Sequence, residues 1–134
     1  MLNLKQVEYL LIGGYAVTYY GYPRSTGDMD IWIAINPDNA EKIVEVLKEF
    51  GFNLPDLSPE LFLQENKIIR MGVPPLRLEI LTTISGVTFT DCFAERLVTK
   101  IDDIDVNLIS LKHLKLNKQA SGRFKDLNDL ENLP

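Results

Sequence analysis

Between Tyr9 and Ile35 the chain changes its hydrophobic rhythm repeatedly. Tyr9 to Ile12 is an unbroken apolar run, the pattern of a short strand buried on both faces, and it stops at Gly13-Gly14. Tyr15, Ala16, Tyr19 and Tyr20 then give a short helix one apolar side, and Gly21, Pro23 and Gly27 keep that helix from continuing. From Asp28 to Ile33 the pattern alternates. Met29, Ile31, Ile33 and, beyond them, Ile35 share one face, while Asp28, Asp30 and Trp32 share the other. The order predicted is strand, glycine turn, helix, loop, strand, with the Met29–Ile35 face turned into the core.

Downstream, Asn36-Pro37 supplies a helix cap and a first-turn proline. Ala40, Ile43, Val44, Leu47 and Phe50 follow at helical spacing up to Gly51. The acids of this helix (Asp38, Glu41, Glu45, Glu49) interleave with Lys42 and Lys48 and read as its wet face. Ser58-Pro59 opens a short helix over Glu60 to Gln64. Lys67 to Met71 and Leu76 to Leu81 read as a hairpin around a turn at Gly72 to Pro75. In the second of these strands Leu78 points inward, leaving Glu79 on the other face beside Arg77. Thr82 to Thr90 is a polar connection and Asp91 to Glu95 one helical turn. Arg96 to Ile101 and Asp105 to Ile109 are short strands around Asp102-Asp103. Ser110 caps a helix in which Leu111, Leu114 and Asn117 face inward. A break at Ala120 to Arg123 precedes a last helix, Lys125 to Leu133, striped by Leu127, Leu130 and Leu133.

A chain of 134 residues with no repeat, linker or low-complexity run is expected to form one domain, spanning residues 1–134. Its composition, 46% hydrophobic and 25% charged, is that of an ordinary globular protein. No apolar run approaches the roughly 20 residues that cross a bilayer. The start, MLNLKQVE, lacks an export pattern, and the single cysteine, Cys92, excludes an internal disulfide, so a cytoplasmic location is expected. Cys92 reads as a small buried residue, and His113, the sole histidine, as a surface or packing residue. A net charge of −5 argues against coating nucleic acid with the whole surface. Yet no acid lies between Val106 and Lys125, where Lys112, Lys115, Lys118, Arg123 and Lys125 fall.

Two carboxylates two residues apart on a strand project from one face and repel each other unless a cation lies between them. A divalent metal bridging Asp28 and Asp30 to a phosphate satisfies that requirement. Gly13 and Gly14 stand at a helix start, where backbone amides can face an anion. This combination, a glycine pair after an apolar residue and then Asp28-Met29-Asp30-Ile31, resembles the signature of the nucleotidyltransferase superfamily. The segment PRSTGDMDIWI is most similar to small bacterial nucleotidyltransferases of the AbiEii-toxin and minimal-nucleotidyltransferase kind, and SGRFKDLNDLENL resembles their tail. The resemblance extends from about Tyr9 to Leu133.

It implies an α+β fold of the nucleotidyltransferase (polymerase-beta-like) type, a mixed sheet flanked by helices. It also implies transfer of a nucleoside monophosphate from an NTP to a hydroxyl of RNA or protein, in a toxin or phage-defence setting. Asp28, Asp30 and, as a third acid on a neighbouring strand, Glu79 would be the catalytic and metal-binding residues, for Mg²⁺ or Mn²⁺. Aspartate is the usual third acid, and glutamate reaches about one methylene further. Gly13 and Gly14 would admit the phosphates. Arg24 would pair with a phosphate or an acid, and Ser25 and Thr26 would touch a phosphate oxygen or form an ordinary turn. Lys118, Arg123 or Lys125 would neutralise the triphosphate or hold an RNA end, unless these lysines are simply the wet side of a helix. Trp32 either packs under a helix or floors the pocket. The resemblance also implies a second copy of the chain or a cognate antitoxin as a partner. Two other uses of the residues stand beside this one: a weak or inactive relative that binds nucleotide or a partner protein, and a metal-dependent phosphohydrolase or nuclease.

Overall fold

The computed structural model describes residues 6–22, 28–49, 51–52, 57–73, 76–101 and 103–134. The described elements are β1 (Tyr9–Ile12), α1 (Gly13–Tyr19), β2 (Asp28–Ile33), α2 (Pro37–Glu49), a 3₁₀ turn (Pro59–Phe62), β3 (Ile68–Val73), β4 (Leu76–Leu81), α3 (Phe89–Ala94), β5 (Leu97–Ile101), β6 (Ile104–Leu108), α4 (Leu111–Ser121) and α5 (Phe124–Asn132). The strands form one six-stranded mixed sheet in the order β3-β4-β2-β1-β6-β5. β2 runs antiparallel to β1 and parallel to β4, and β1 runs parallel to β6.

The apolar run of β1 is buried at every position because the strand lies inside the sheet, between β2 and β6. The alternation along β2 divides the core in two, since successive side chains leave opposite faces of a strand. Ile31 and Ile33 join Ile43, Val44 and Leu47 of α2, with Phe62, Met71 and Ile80, on one face. Trp32 joins Val17 of α1, Cys92 of α3 and Leu114 of α4 on the other. Met29 and Ile35, expected in the core, are each 37% exposed, because they lie toward or beyond the ends of the strand, where the helix cover runs out.

Local chemistry sets the helix boundaries. The Asn36 side chain accepts from the Asn39 amide at 2.8 Å, the expected cap. Asn39 is itself buried and donates to the carbonyls of Glu8 and Ala34, tying α2 to the sheet end. Ser110 caps α4 by accepting from the His113 amide, and α4 ends at Gly122 in the left-handed region. His113 is buried, with Nδ1 3.0 Å from Ser110 Oγ and Nε2 3.4 Å from a Glu95 carboxylate oxygen, so it packs and braces. Residues 74, 75 and 102, assigned to turns from the sequence, lie outside the described residues.

The last helix departs from its expected stripe. Leu133 is buried, but Leu127 is 46% exposed, and the buried residues of α5 are Asp126 and Asp129. Both face the buried Lys118 of α4.

Candidate active site

β2 carries two acids because its first residues run past the helix cover, where a carboxylate can still meet solvent. Asp30 lies opposite Glu79 on parallel β4 and opposite Ile12 on β1, directly before Gly13. Asp28 lies opposite Arg77. Residues in register share a face, so Asp28, Asp30 and Glu79 rise from the same side of the sheet, the side on which Trp32 is buried.

Gly13 has φ +66°, and a side chain there would collide with the Asp30 carboxylate. Glycine is therefore required twice over, for backbone conformation and for the approach of Asp30. Gly14 follows, buried in the first turn of α1.

Two arginines hold the outer acids. Arg77 donates to Asp28 through Nε at 3.1 Å and a terminal nitrogen at 3.4 Å. Arg70 of β3 donates through Nε to Glu79 at 2.8 Å. Asp30 has a different environment. Burial, then a hydrogen bond to Glu79 and the negative charges of Glu79 and Asp28, push its carboxyl up to about 7, with Lys125 pulling the other way. Such a carboxyl is partly protonated near neutrality, with Glu79 as the acceptor of its proton. Asp30 Oδ1 is buried and meets no hydrogen-bond partner among the described residues.

A buried, unsatisfied carboxylate oxygen beside a second carboxylate is the donor set a hard divalent cation takes, and the absence of His and Cys here suits Mg²⁺ or Mn²⁺. The residues fit such an ion. With Asp28 turned to Arg77 and Glu79 to Arg70, no set of three His, Cys, Asp or Glu side chains among the described residues is grouped to hold a metal as it stands.

Arg24 and Thr26, with Ser25, lie outside the described residues. Lys118 is a correction. It is buried, 3% exposed, with Nζ 3.1 Å from Asp126 Oδ1 and 3.1 Å from Asp129 Oδ2. An ammonium enclosed by two carboxylates is committed to joining α4 to α5 and is not presented to a triphosphate. Arg123 also grips Asp126, through Nε at 2.7 Å and a terminal nitrogen at 3.3 Å. Lys125 remains exposed at the start of α5, and its charge acts on Asp30.

Trp32 is 2% exposed, crosses Phe89 edge to face at 5.2 Å and donates from its indole nitrogen to the Thr82 carbonyl at 3.3 Å. It packs against α3 and is closed to a bound nucleotide. Cys92 is fully buried, and burial first, then the charges of Asp91 and Glu95, push its thiol up to about 11, which keeps it protonated.

Sequence reasoning missed Arg70 as a partner of the acids. The available signal was the hairpin register, which sets Arg70 directly across from Glu79. It also missed that Asp126 and Asp129, three apart on a helix, share a face aimed at Lys118.

No family model and no curated protein matches this sequence. Solved structures do. A putative nucleotidyltransferase from Thermotoga maritima superposes with a TM-score of 0.64 at 14% identity, covering 98% of this chain and 84% of that one. The lincosamide antibiotic adenylyltransferase LnuA, in its lincomycin-bound form, superposes with a TM-score of 0.55 at 17% identity, covering 98% of this chain and 88% of that one. The chain therefore has the nucleotidyltransferase fold, an α+β architecture with a six-stranded mixed sheet.

Proposed function

We propose that this chain is a divalent-metal-dependent nucleotidyltransferase that moves a nucleoside monophosphate from an NTP to a hydroxyl of RNA or protein, releasing pyrophosphate. The observation that carries this reading is Asp30 itself, in register with Glu79, with Oδ1 buried and unsatisfied and Oδ2 over Gly13. The AbiEii-like toxin or defence subtype rests on the segments PRSTGDMDIWI and SGRFKDLNDLENL.

Asp30 and Glu79, with Asp28 once released from Arg77, would hold Mg²⁺ or Mn²⁺, which when bound neutralises triphosphate charge. The rest falls to the chain. The acceptor oxygen attacks the α-phosphorus, the bond to the bridging oxygen breaks, and pyrophosphate leaves with that electron pair. With the ion held, Asp30 would be ionised, and Glu79 would take the hydroxyl proton. Gly13 and Gly14 let the backbone approach the phosphates, and exposed Lys125 adds positive charge near Asp30. Positioning and charge neutralisation dominate phosphoryl transfer, so few residues suffice.

A second reading has its own support: Arg70 and Arg77 already satisfy Glu79 and Asp28, as in a scaffold that binds nucleotide or a partner without turnover. The two separate in one assay. The protein is incubated with each α-labelled NTP, Mg²⁺ or Mn²⁺, and a pool of RNA and cell protein, beside Glu79→Gln. Label transferred by the parent and lost in the variant supports transfer. Nucleotide binding without transfer supports the second reading, and metal-dependent cleavage of nucleic acid overturns both. The gel position of the label identifies the acceptor.

A further inference from the structure

The sheet order sets the parts of the site in a line. Across β1, β2, β4 and β3 one row runs from Ile12, with Gly13 directly after it, through Asp30 and Glu79 to Arg70. Two residues back along their strands, Asp28 stands beside Arg77. Period two keeps these side chains on one face, while Ile69, Met71, Leu78 and Ile80 enter the core from the other. Arg70 and Arg77 are diagonal neighbours on the antiparallel hairpin, about 7–8 Å apart at the backbone. The glycine turn thus closes one end of the acid row, and the two arginines close the other.

The guanidiniums lie on the solvent side of the acids. The side chains of Arg70 and Arg77 are 62% and 41% exposed, those of Glu79 and Asp28 only 17% and 25%. Ion pairs this wet add little to stability, so packing alone does not account for them. Nor are the forks used up. Among the described residues Arg70 donates through Nε alone, and Arg77 through Nε and one terminal nitrogen. The remaining N–H groups are exposed donors in the planar geometry that fits phosphate oxygens. Once the carboxylates turn to a divalent ion, both guanidiniums become uncompensated positive charge.

Phosphoryl transfer places the attacking and leaving oxygens roughly in line. With the triphosphate toward Gly13, pyrophosphate departs on that side, and attack comes from the opposite one, over Glu79 and beside the arginines. We propose that Arg70 and Arg77 form the acceptor subsite, and that the acceptor is the end of a nucleic-acid strand rather than a protein. Its last phosphodiester lies on the two guanidiniums and its terminal hydroxyl at Glu79. This deepens the transferase reading and rests on it for the direction of attack.

The test uses the full chain with Mn²⁺ and a non-reactive NTP analogue. Short fluorescent oligonucleotides of mixed sequence, RNA and DNA, are titrated by anisotropy. Arg70→Gln and Arg77→Gln should each weaken binding of the preferred strand about tenfold or more, with affinity for the NTP analogue little changed. The slope of log affinity against log salt should fall by about 0.7 for each arginine removed. Arg70→Lys should recover only part of the loss, since it restores the charge without the fork. Replacing the last phosphodiester by a neutral methylphosphonate should weaken binding to the parent as much, and the Gln variants should then lose nothing more. Thermal unfolding of both variants should match the parent, because the pairs are exposed. Strand binding through the arginines with no label transfer would sink the transferase reading and leave the subsite standing. Label transferred to protein while neither strand binds saturably overturns the subsite and leaves the transferase. Equal losses on the charged and neutral strands, or loss of the NTP analogue instead of the strand, also overturn the subsite.

Discussion

Asp30→Asn should reduce label transfer by roughly 10²- to 10³-fold, the loss expected when one preorganised charge-stabilising group is removed, and should at the same time stabilise the metal-free fold at pH 8. The second effect follows from the raised carboxyl. Asp30 titrates at about 7 when folded, against roughly 4 in an unfolded chain. Between those values the folded state holds a proton that the unfolded state has lost. The contribution of this group to stability is therefore complete below about pH 4 and is lost as the pH rises through 7. Asparagine keeps the shape and never ionises, so the gap between variant and parent should be small at pH 4, widen toward pH 7 and stay constant above it. Thermal scans across that range, without divalent metal, read it directly. With saturating Mg²⁺ the order should reverse, because an ion bound only by the folded parent raises its melting temperature by mass action. A variant inactive yet more stable marks a residue kept for chemistry. Equal loss of stability at every pH would mean that Asp30 merely packs.

Lys118→Met should destabilise the fold by about 3–5 kcal/mol, among the largest effects available in this chain, because it takes the ammonium away from two buried carboxylates. Asp126 and Asp129 are 0% and 1% exposed, so water cannot take the place of the ammonium without opening the α4–α5 contact. In a domain of this size that is a fall in melting temperature of roughly 10–20 °C. Burial would raise the Asp126 carboxyl, but hydrogen bonds from Arg123 and Lys118 outweigh it and hold the group below its ordinary range. Its stabilising contribution is accordingly present at neutral pH and lost as acid protonates the folded carboxylate. Adding Asp129→Asn to Lys118→Met should recover part of the loss by removing one of the two buried negative charges that the ammonium balanced. Chemical denaturation of the single and double variants measures both numbers, and an unchanged midpoint for Lys118→Met would refute the buried-lock assignment.

The same lysine shows where the sequence stopped informing. A run of bases free of acids from Val106 to Lys125 reads as a positive surface, yet burial of Lys118 is decided by two aspartates on the following helix. That helix carries a leucine stripe as well as a polar one, and only tertiary packing chooses between them: Leu127 stays exposed and Asp129 goes in. Periodicity cannot rank the two, because burial of a paired charge depends on a partner elsewhere in the chain. The acid face was legible for the opposite reason. Period two along β2 puts Asp28 and Asp30 together whatever surrounds them, and a hairpin with Leu78 inward leaves Glu79 outward. What the strand pattern could not supply was register across β3, and hence the grip of Arg70 on Glu79. The glycine pair was legible as a turn. That Gly13 clears space for the Asp30 carboxylate, as well as bending the chain, required coordinates.

Whether the Asp30–Glu79 pair is a cation site or a proton-sharing structural contact is decided by Mn²⁺ binding, followed by electron paramagnetic resonance at pH 7.5 in the presence of a non-reactive NTP analogue. The parent should bind the ion saturably, with affinity reduced at least about tenfold in Asp30→Asn and in Glu79→Gln. Superimposable isotherms for all three proteins would contradict the assignment and remove the chemistry from this site.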